Sequence, residues 1–337
     1  MRRALLVTLL VVLVPVARAQ ERQKLAQTTM KFLSVSVDAR AAALGDAVTA
    51  VDGMASSLFY NPAGMARQQS RMQLGAAQTK FIADIDHAAA AATFAPSRGR
   101  FGVLGVSLQT VDYGEQIETV RANNSQGYDE LGTFTPTAFA VGVGYAKALT
   151  DRFSVGAQVK YATMDLGDPL RSRSNSDGSL VFDEAREGTL AYDFGLLYKT
   201  DFHGLNFAVA ARNFAPQVSF AREDNRLPLT LRIGVSIDAA DLAGLNTSTH
   251  SLQVAFDNNL QQDYLEQIRL GVEYGFLNTL FLRAGYTRPT DQQGVSLGFG
   301  LQRTLYGVGI GLDYAYTDYG DFNQFGRVQR AALRFSF

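Results

Sequence analysis

Hydrophobic and polar residues take turns along much of this chain. Val295, Leu297, Phe299 and Leu301 interleave with Ser296, Gly298, Gly300 and Gln302. Past a tight turn, Tyr306, Val308, Ile310, Leu312, Tyr314 and Tyr316 interleave with Gly307, Gly309, Gly311, Asp313 and Ala315. A repeat of two marks a strand, because successive side chains leave opposite faces of the backbone. A long apolar face set against glycines and a carboxylate suits a wall with hydrocarbon on one side and water or a plug on the other.

Segments of this kind start near Ser70, Ile85, Gly99, Thr133, Arg152, Gly188, Gly204, Pro228, Ser248, Leu265, Thr279, Gly294, Tyr306 and Arg327. That makes fourteen, an even number as bacterial barrels require. The expected fold is therefore all-β: a 14-stranded transmembrane antiparallel β-barrel over residues 70–337.

The later strands allow the faces to be assigned. Leu231, Ile233, Val235 and Ile237 face lipid, with Arg232 inward. Ile268, Leu270 and Val272 oppose Arg269 and Glu273, and Leu280, Leu282 and Ala284 oppose Arg283. In the last strand Ala331, Leu333, Phe335 and Phe337 oppose Arg330 and Arg334, and Phe335 and Phe337 are the expected barrel-insertion residues. With Asp313, these charges fall on the lumen side. On the lipid side each arginine would cost about 2–4 kcal/mol near the midplane.

Connection lengths test the same reading. Leu149–Asp151, Thr200–His203, Phe276–Asn278 and Arg303–Leu305 are short. Tyr113–Gly132, Leu166–Glu187, Asn213–Leu227 and Thr317–Gly326 are long. Outer-membrane barrels have short periplasmic turns and longer external loops, and with both termini periplasmic the assignments agree. Ala239–Thr247, a longer periplasmic connection, is the exception.

Composition narrows the function classes. There is no Cys, hence no disulfide or thiolate chemistry, and a net charge of -1 argues against a nucleic-acid partner. Arg2 and Arg3 followed by the apolar Ala4–Val14 and the small-x-small Ala17-Arg18-Ala19 read as a signal peptide over residues 1–19. That apolar run is too short for a spanning helix, which needs about 20 residues.

Residues 20–69 lack the alternation and carry helix punctuation instead. Asp38 is a candidate N-cap for the run Ala39-Arg40-Ala41-Ala42-Ala43-Leu44, and Gly45 a candidate stop. Asn61-Pro62 is a turn or a cap followed by proline at the first helical position. A compact Ala-rich segment ahead of a barrel is a candidate plug, or hatch.

Ser36-Val37-Asp38-Ala39-Arg40-Ala41-Ala42-Ala43-Leu44-Gly45-Asp46-Ala47, followed by Asp52-Gly53-Met54-Ala55 and Tyr60-Asn61-Pro62-Ala63-Gly64-Met65, resembles the N-terminal signature of the PorV/PorQ group. That group lies within the wider superfamily of long-chain fatty-acid transporters. The resemblance implies a 14-stranded outer-membrane barrel with an N-terminal hatch, whose motif residues here are Asp38, Arg40, Gly45, Asp46, Asn61, Pro62, Ala63 and Gly64. It implies a location in the bacterial outer membrane and a role accessory to type IX protein secretion, with secreted proteins as partners. The alternative is uptake of hydrophobic small molecules past the hatch, and a third reading is a generic structural barrel or open porin.

Two further expectations concern geometry. Lumen arginines Arg232, Arg269, Arg283, Arg330 and Arg334 are expected to pair with hatch carboxylates Asp38, Asp46 and Asp52. The alternative partners are the wall carboxylates Glu273 and Asp313. Around Phe101–Leu108, in the third strand, the apolar phase shifts beside Gly102 and Gly105, which implies a bulge. Under the resemblance, a kink there goes with a side opening toward the membrane; an ordinary bulge is the other reading.

Catalysis and cofactors are not expected. His87 follows Asp84 and Asp86, but one such cluster at a strand start reads as solvated rim. No His/Asp/Glu set stands at metal-ligand spacing; Asp318 and Asp321 in a loop are a calcium candidate, with solvation the ordinary reading. The 31 glycines fit strand faces and turns rather than a phosphate loop. The expected partners are outer-membrane lipid together with the protein or small-molecule ligands above.

Overall fold

A computed structural model describes residues 28–167, 170–173, 180–182, 185–220, 223–262, 264–290, 294–325 and 327–337. The expected signal peptide and residues 20–27 of the expected hatch lie outside them. Fourteen antiparallel strands form a closed barrel. They are β1 Met72–Lys80, β2 Asp86–Phe94, β3 Val103–Asp112, β4 Thr137–Ala148, β5 Phe153–Asp165, β6 Arg186–Lys199 and β7 Asn206–Phe214. The second half is β8 Thr230–Asp238, β9 His250–Gln261, β10 Gln267–Phe276, β11 Leu280–Arg288, β12 Val295–Leu305, β13 Val308–Thr317 and β14 Val328–Ser336. Each strand pairs with its neighbours in sequence, and β14 closes on β1 from Gln73↔Ser336 to Lys80↔Gln329. Closure leaves no edge strand facing the hydrocarbon, which membrane-spanning backbone demands.

The side chains alternate as lipid and lumen require. In β4, Phe139, Val141, Val143 and Tyr145 are exposed, while Ala138 and Ala140 are buried inward. Long connections at one end carry hairpins of their own, Gln116–Arg121 with Tyr128–Phe134, Leu170–Arg173 with Leu180–Phe182, and Val218–Phe220 with Glu223–Asn225. The other end has the short turns.

The third strand corrects one expectation. β3 pairs without interruption with β2, from Leu104↔Phe94 to Asp112↔Asp86, and with β4, from Val103↔Ala146 to Asp112↔Thr137. Phe101 and Gly102 lie in the preceding turn, so the shift of phase belongs to the turn. Val103 then points inward because apolar side chains of the N-terminal segment, Leu58 and Met65, meet it there. No bulge or side opening is present at Gly102 or Gly105. Gly102 (φ +89°) instead lies under the ring of Tyr145. The register shift among the described barrel pairings falls between β6 and β7, where Arg212 and Asn213 face the single residue Asp193. Asn213, at φ 61°, donates its N–H to Asp193 Oδ1 at 2.7 Å, and the Lys160 ammonium donates to both residues.

Residues 28–69 pack inside the wall. Asp38 accepts the Ala41 N–H at 2.9 Å and caps helix α1, Ala39–Ala43; Gly45 ends it at φ 61°. Short 3₁₀ turns follow at Ala55–Phe59 and Pro62–Arg67, the latter capped by Asn61, whose Oδ1 accepts the Ala63 N–H at 3.1 Å. α1 seats against β11–β14, Ala55–Phe59 against β1–β3 and Pro62–Arg67 against β4–β6. The inner-face glycines make this possible. A Cβ on Gly285 would collide with the Gly45 backbone, and one on Gly156 would lie 2.5 Å from the Ala63 nitrogen.

Candidate functional site

The N-terminal segment and the wall meet through a chain of alternating charges. Arg40, on the outward turn of α1, donates through Nε and Nη2 to Glu273 on β10 at 2.7 and 2.6 Å. Glu273 also accepts from Arg283, its register partner on β11, at 2.5 Å. Arg283 reaches on to Asp313 on β13 at 2.7 Å, and Asp313 takes Arg334 of β14 at 2.7 Å. Between β11 and β13 this chain crosses β12 over Gly300, where a Cβ would come within 2.6 Å of Arg283 Nη1. Glycines on the lumen face of β12 thus make room for an ion pair spanning a strand. Burial disfavours charge on Arg40, but Glu273 holds its guanidinium protonated far above the ordinary range.

A second cluster surrounds Tyr60. Its hydroxyl accepts the Asp38 N–H at 3.2 Å and lies 3.1 Å from the Ser36 hydroxyl, which donates to Asp46 at 2.5 Å. Burial, then Asp46 and Asp38, push the Tyr60 phenol well above its usual value. Arg212 and Arg232 lie over its ring at 5.9 and 5.8 Å, within cation–π range. Arg269 pairs with Asp46 at 3.5 Å. Burial alone would raise the Asp46 carboxyl, but Arg269, Arg232 and the Ser36 hydroxyl hold it below the ordinary 3.8.

The expected pairing of wall arginines with Asp38, Asp46 and Asp52 is therefore corrected in most of its particulars. Only Arg269 of the five reaches one of these carboxylates, Asp46. Arg283 and Arg334 pair with wall carboxylates. Arg330 donates to the Ser36 carbonyl at 2.9 Å, and Arg232 lies over Tyr60. Asp38 is spent on its helix cap, and Asp52 pairs with Lys199 at 2.8 Å. The grip in the opposite sense, from a cation of the N-terminal segment to a wall anion at Arg40–Glu273, was missed, as were Tyr60, Lys199 and the bond from Thr49 Oγ1 to Asp257 at 2.6 Å. For Lys199 and Asp257 the available signal was a charge of lumen parity in a strand.

Asn61 anchors the second half of the segment, donating to the Thr49 carbonyl at 2.8 Å and the Leu196 carbonyl at 3.2 Å. Pro62, Ala63 and Gly64 are buried beside it. Phe335 and Phe337 sit at the short-turn end, where Phe337 exchanges backbone bonds with Met72. A cavity of about 250 Å³ opens from that end between the segment and β1, β2, β13 and β14, with Arg40, Phe59, Gln73, Gln302 and Arg334 in its lining.

The acid–base cluster does not converge. His87 is buried inward, 5.6 Å edge-on to Phe81, while Asp84 and Asp86 are exposed. Asp318 accepts from Gly320 and Asn323 within its own loop, and the Asp321 side chain lies outside the described ones. Among the described residues no three His, Cys, Asp or Glu converge as metal ligands.

A closed fourteen-stranded barrel of transmembrane type, occupied by its own N-terminal segment, defines the class of protein. The profile of the family described as type IX secretion system protein PorV matches residues 18–255, and the chain belongs to that family. Similar solved structures include the toluene transporter TbuX of Ralstonia pickettii, with a TM-score of 0.57 and 12% identity over 88% of this chain and 97% of that one. The toluene transporter TodX of Pseudomonas putida follows at 0.53 and 12%, over 86% and 95%. The monoaromatic hydrocarbon channel CymD is similar at 0.53 and 13%, over 90% and 96%. At such identities the likeness is one of fold. No curated protein sequence matches the chain.

Proposed function

We propose that this chain is a non-enzymatic barrel of the bacterial outer membrane, accessory to type IX protein secretion, that holds secreted proteins at the membrane. The observation that carries the reading is the family match, which spans residues 18–255, from the N-terminal segment through the first eight strands and into the ninth. The geometry is consistent with it. A lumen filled by residues 28–69, acting as a hatch and pinned by buried ion pairs, suits a docking platform better than an open pore. The hairpins projecting from the long-loop end offer protein-sized contact surface, with Ile117 60% exposed at one of them. Mild crosslinking in cells that secrete by this route, followed by detergent extraction of the barrel, is expected to recover secreted proteins bound to it. Their absence from the extracted barrel in such cells would defeat the reading.

A second reading, uptake of hydrophobic small molecules, is favoured by the fold shared with the toluene transporters and by the cavity beside Arg40 and Arg334. It requires an exit other than β3, whose ladder is continuous. Retention of an acyl chain or detergent in that cavity after extraction is its expected mark, and unimpaired growth of a deletion strain on fatty acids and aromatic hydrocarbons would count against it.

A further inference from the structure

The short-turn end of the barrel is electrically lopsided. From β12 round to β3 the segments 301–309, 334–337, 68–72 and 94–103 carry Arg71, Arg98, Arg100, Arg303 and Arg334, with no Asp or Glu among them. The wall carboxylates of this end lie between β4 and β9: Asp151, Asp201 and Asp241 in the connections and Asp238 at the end of β8.

Three of these arginines stand on the outer perimeter. Arg71 lies over the ring of Phe94 at 5.6 Å and Arg100 over that of Phe101 at 5.8 Å. Both rings face outward, 39% and 61% exposed. Arg303 belongs to the lipid-facing side of β12. Its register row runs Arg303, Ile310, Phe335, Leu74, Ala92, Val106 around the wall. A guanidinium with such neighbours extends toward the headgroups, where its cost falls to about 0–1 kcal/mol. Among the described residues these segments supply no carboxylate to pair with it, and a counter-charge from outside the protein suits the site.

The wall above these arginines is shaped for a chain. The next register row toward the membrane centre runs Leu312, Leu333, Ala76, Ala90, Leu108. Further up, Ala331 and Ala88 continue the small residues. Alanines floor and leucines flank an outward groove of about 450 Å³ whose lining is almost wholly apolar. Such a hollow lies directly over a cationic rim at the headgroup level of the same leaflet.

We infer that this sector binds anionic phospholipid of the periplasmic leaflet, its headgroups drawn to the rim that carries Arg71, Arg100 and Arg303 and one acyl chain lying in the alanine groove. Charge complementarity selects the headgroup, and the outward face of both the rings and the groove selects a lipid over a soluble anion. The inference rests on the outer-membrane reading, which assigns the short-turn end to the periplasm.

The test is native mass spectrometry of the detergent-purified, delipidated full-length barrel, offered equimolar phosphatidylglycerol and phosphatidylcholine with identical chains. Phosphatidylglycerol is expected to be retained preferentially. The preference should fall roughly fivefold for each guanidinium removed in Arg100→Gln and Arg303→Gln. Ala90→Phe should lower retention by filling the groove, while Arg121→Gln, on a hairpin at the opposite end, should leave it unchanged. Heat-modifiable electrophoretic mobility checks that each variant is folded. Equal retention of the two lipids, a preference that survives both arginine substitutions, or an acidic decapeptide binding these arginines ahead of the lipid would overturn the inference. A chain that dissolves without detergent would defeat the membrane reading itself; a folded detergent-bound barrel without lipid preference would defeat this inference alone.

Discussion

Arg40 of the N-terminal helix grips Glu273 of the wall through two parallel hydrogen bonds, 2.6 and 2.7 Å long, across 233 residues of chain. Both side chains are nearly buried, at 14% and 8% exposure. Removing one partner of such a pair strands the other, at about 3–5 kcal/mol. Arg40→Ala and Glu273→Gln are each expected to expose residues 28–69 to protease while the barrel keeps its heat-modifiable mobility. The double variant should cost less than the sum of the two, measured as a shift in the denaturant midpoint for loss of protection.

The glycines of the inner wall predict a contrast. Gly285→Val forces a side chain into the backbone of Gly45, and overpacking of this kind costs about 1–3 kcal/mol. Gly75→Ala places its Cβ in open space beside the cavity and is expected to be neutral. Thermal unfolding in detergent distinguishes them: a lowered midpoint for the first and an unchanged one for the second.

Tyr60 predicts a graded pair. Tyr60→Phe removes the hydroxyl that accepts from Asp38 N–H and leaves that buried donor unpaired, at a cost of about 1–3 kcal/mol. Tyr60→Leu also removes the ring face on which Arg212 and Arg232 lie, and is expected to be several-fold worse. Protease protection of residues 28–69 reads out both.

Asp46 predicts acid sensitivity. Its folded-state pKa lies below the ordinary 3.8, so its stabilising contribution is complete above that value and is lost as pH falls through the folded value. Protection of the segment should decline below about pH 4. Asp46→Asn should be less protected at pH 7 and show a flatter decline between pH 5 and 2, followed by limited proteolysis after buffer exchange.

The barrel was legible because its physics is written locally. A two-residue period with glycine or charge on one face needs no knowledge of the partner strand, and the expected starts fall within four residues of those in the structure. The cap at Asp38, the stop at Gly45 and the Asn61-Pro62 start are likewise decided within a few residues. What remained hidden was decided at a distance. The charge chain from Arg40 to Arg334 depends on which strands are neighbours and on Gly300 clearing the path between two of them. The bulge beside Asp193 exists because Lys160 and Asn213 converge there from other strands. Val103 misled for a related reason: an apolar residue of lumen parity reads as a change of phase until the segment that covers it is in place.

The central claim is that residues 28–69 occupy the barrel and are held there by buried charge pairs. Conductance of the purified protein in planar lipid bilayers tests it most directly. The native protein is expected to pass no steady current, and the Arg40→Ala, Asp46→Asn double variant to show frequent openings. Steady conductance of the native protein at the level of that variant would contradict the claim.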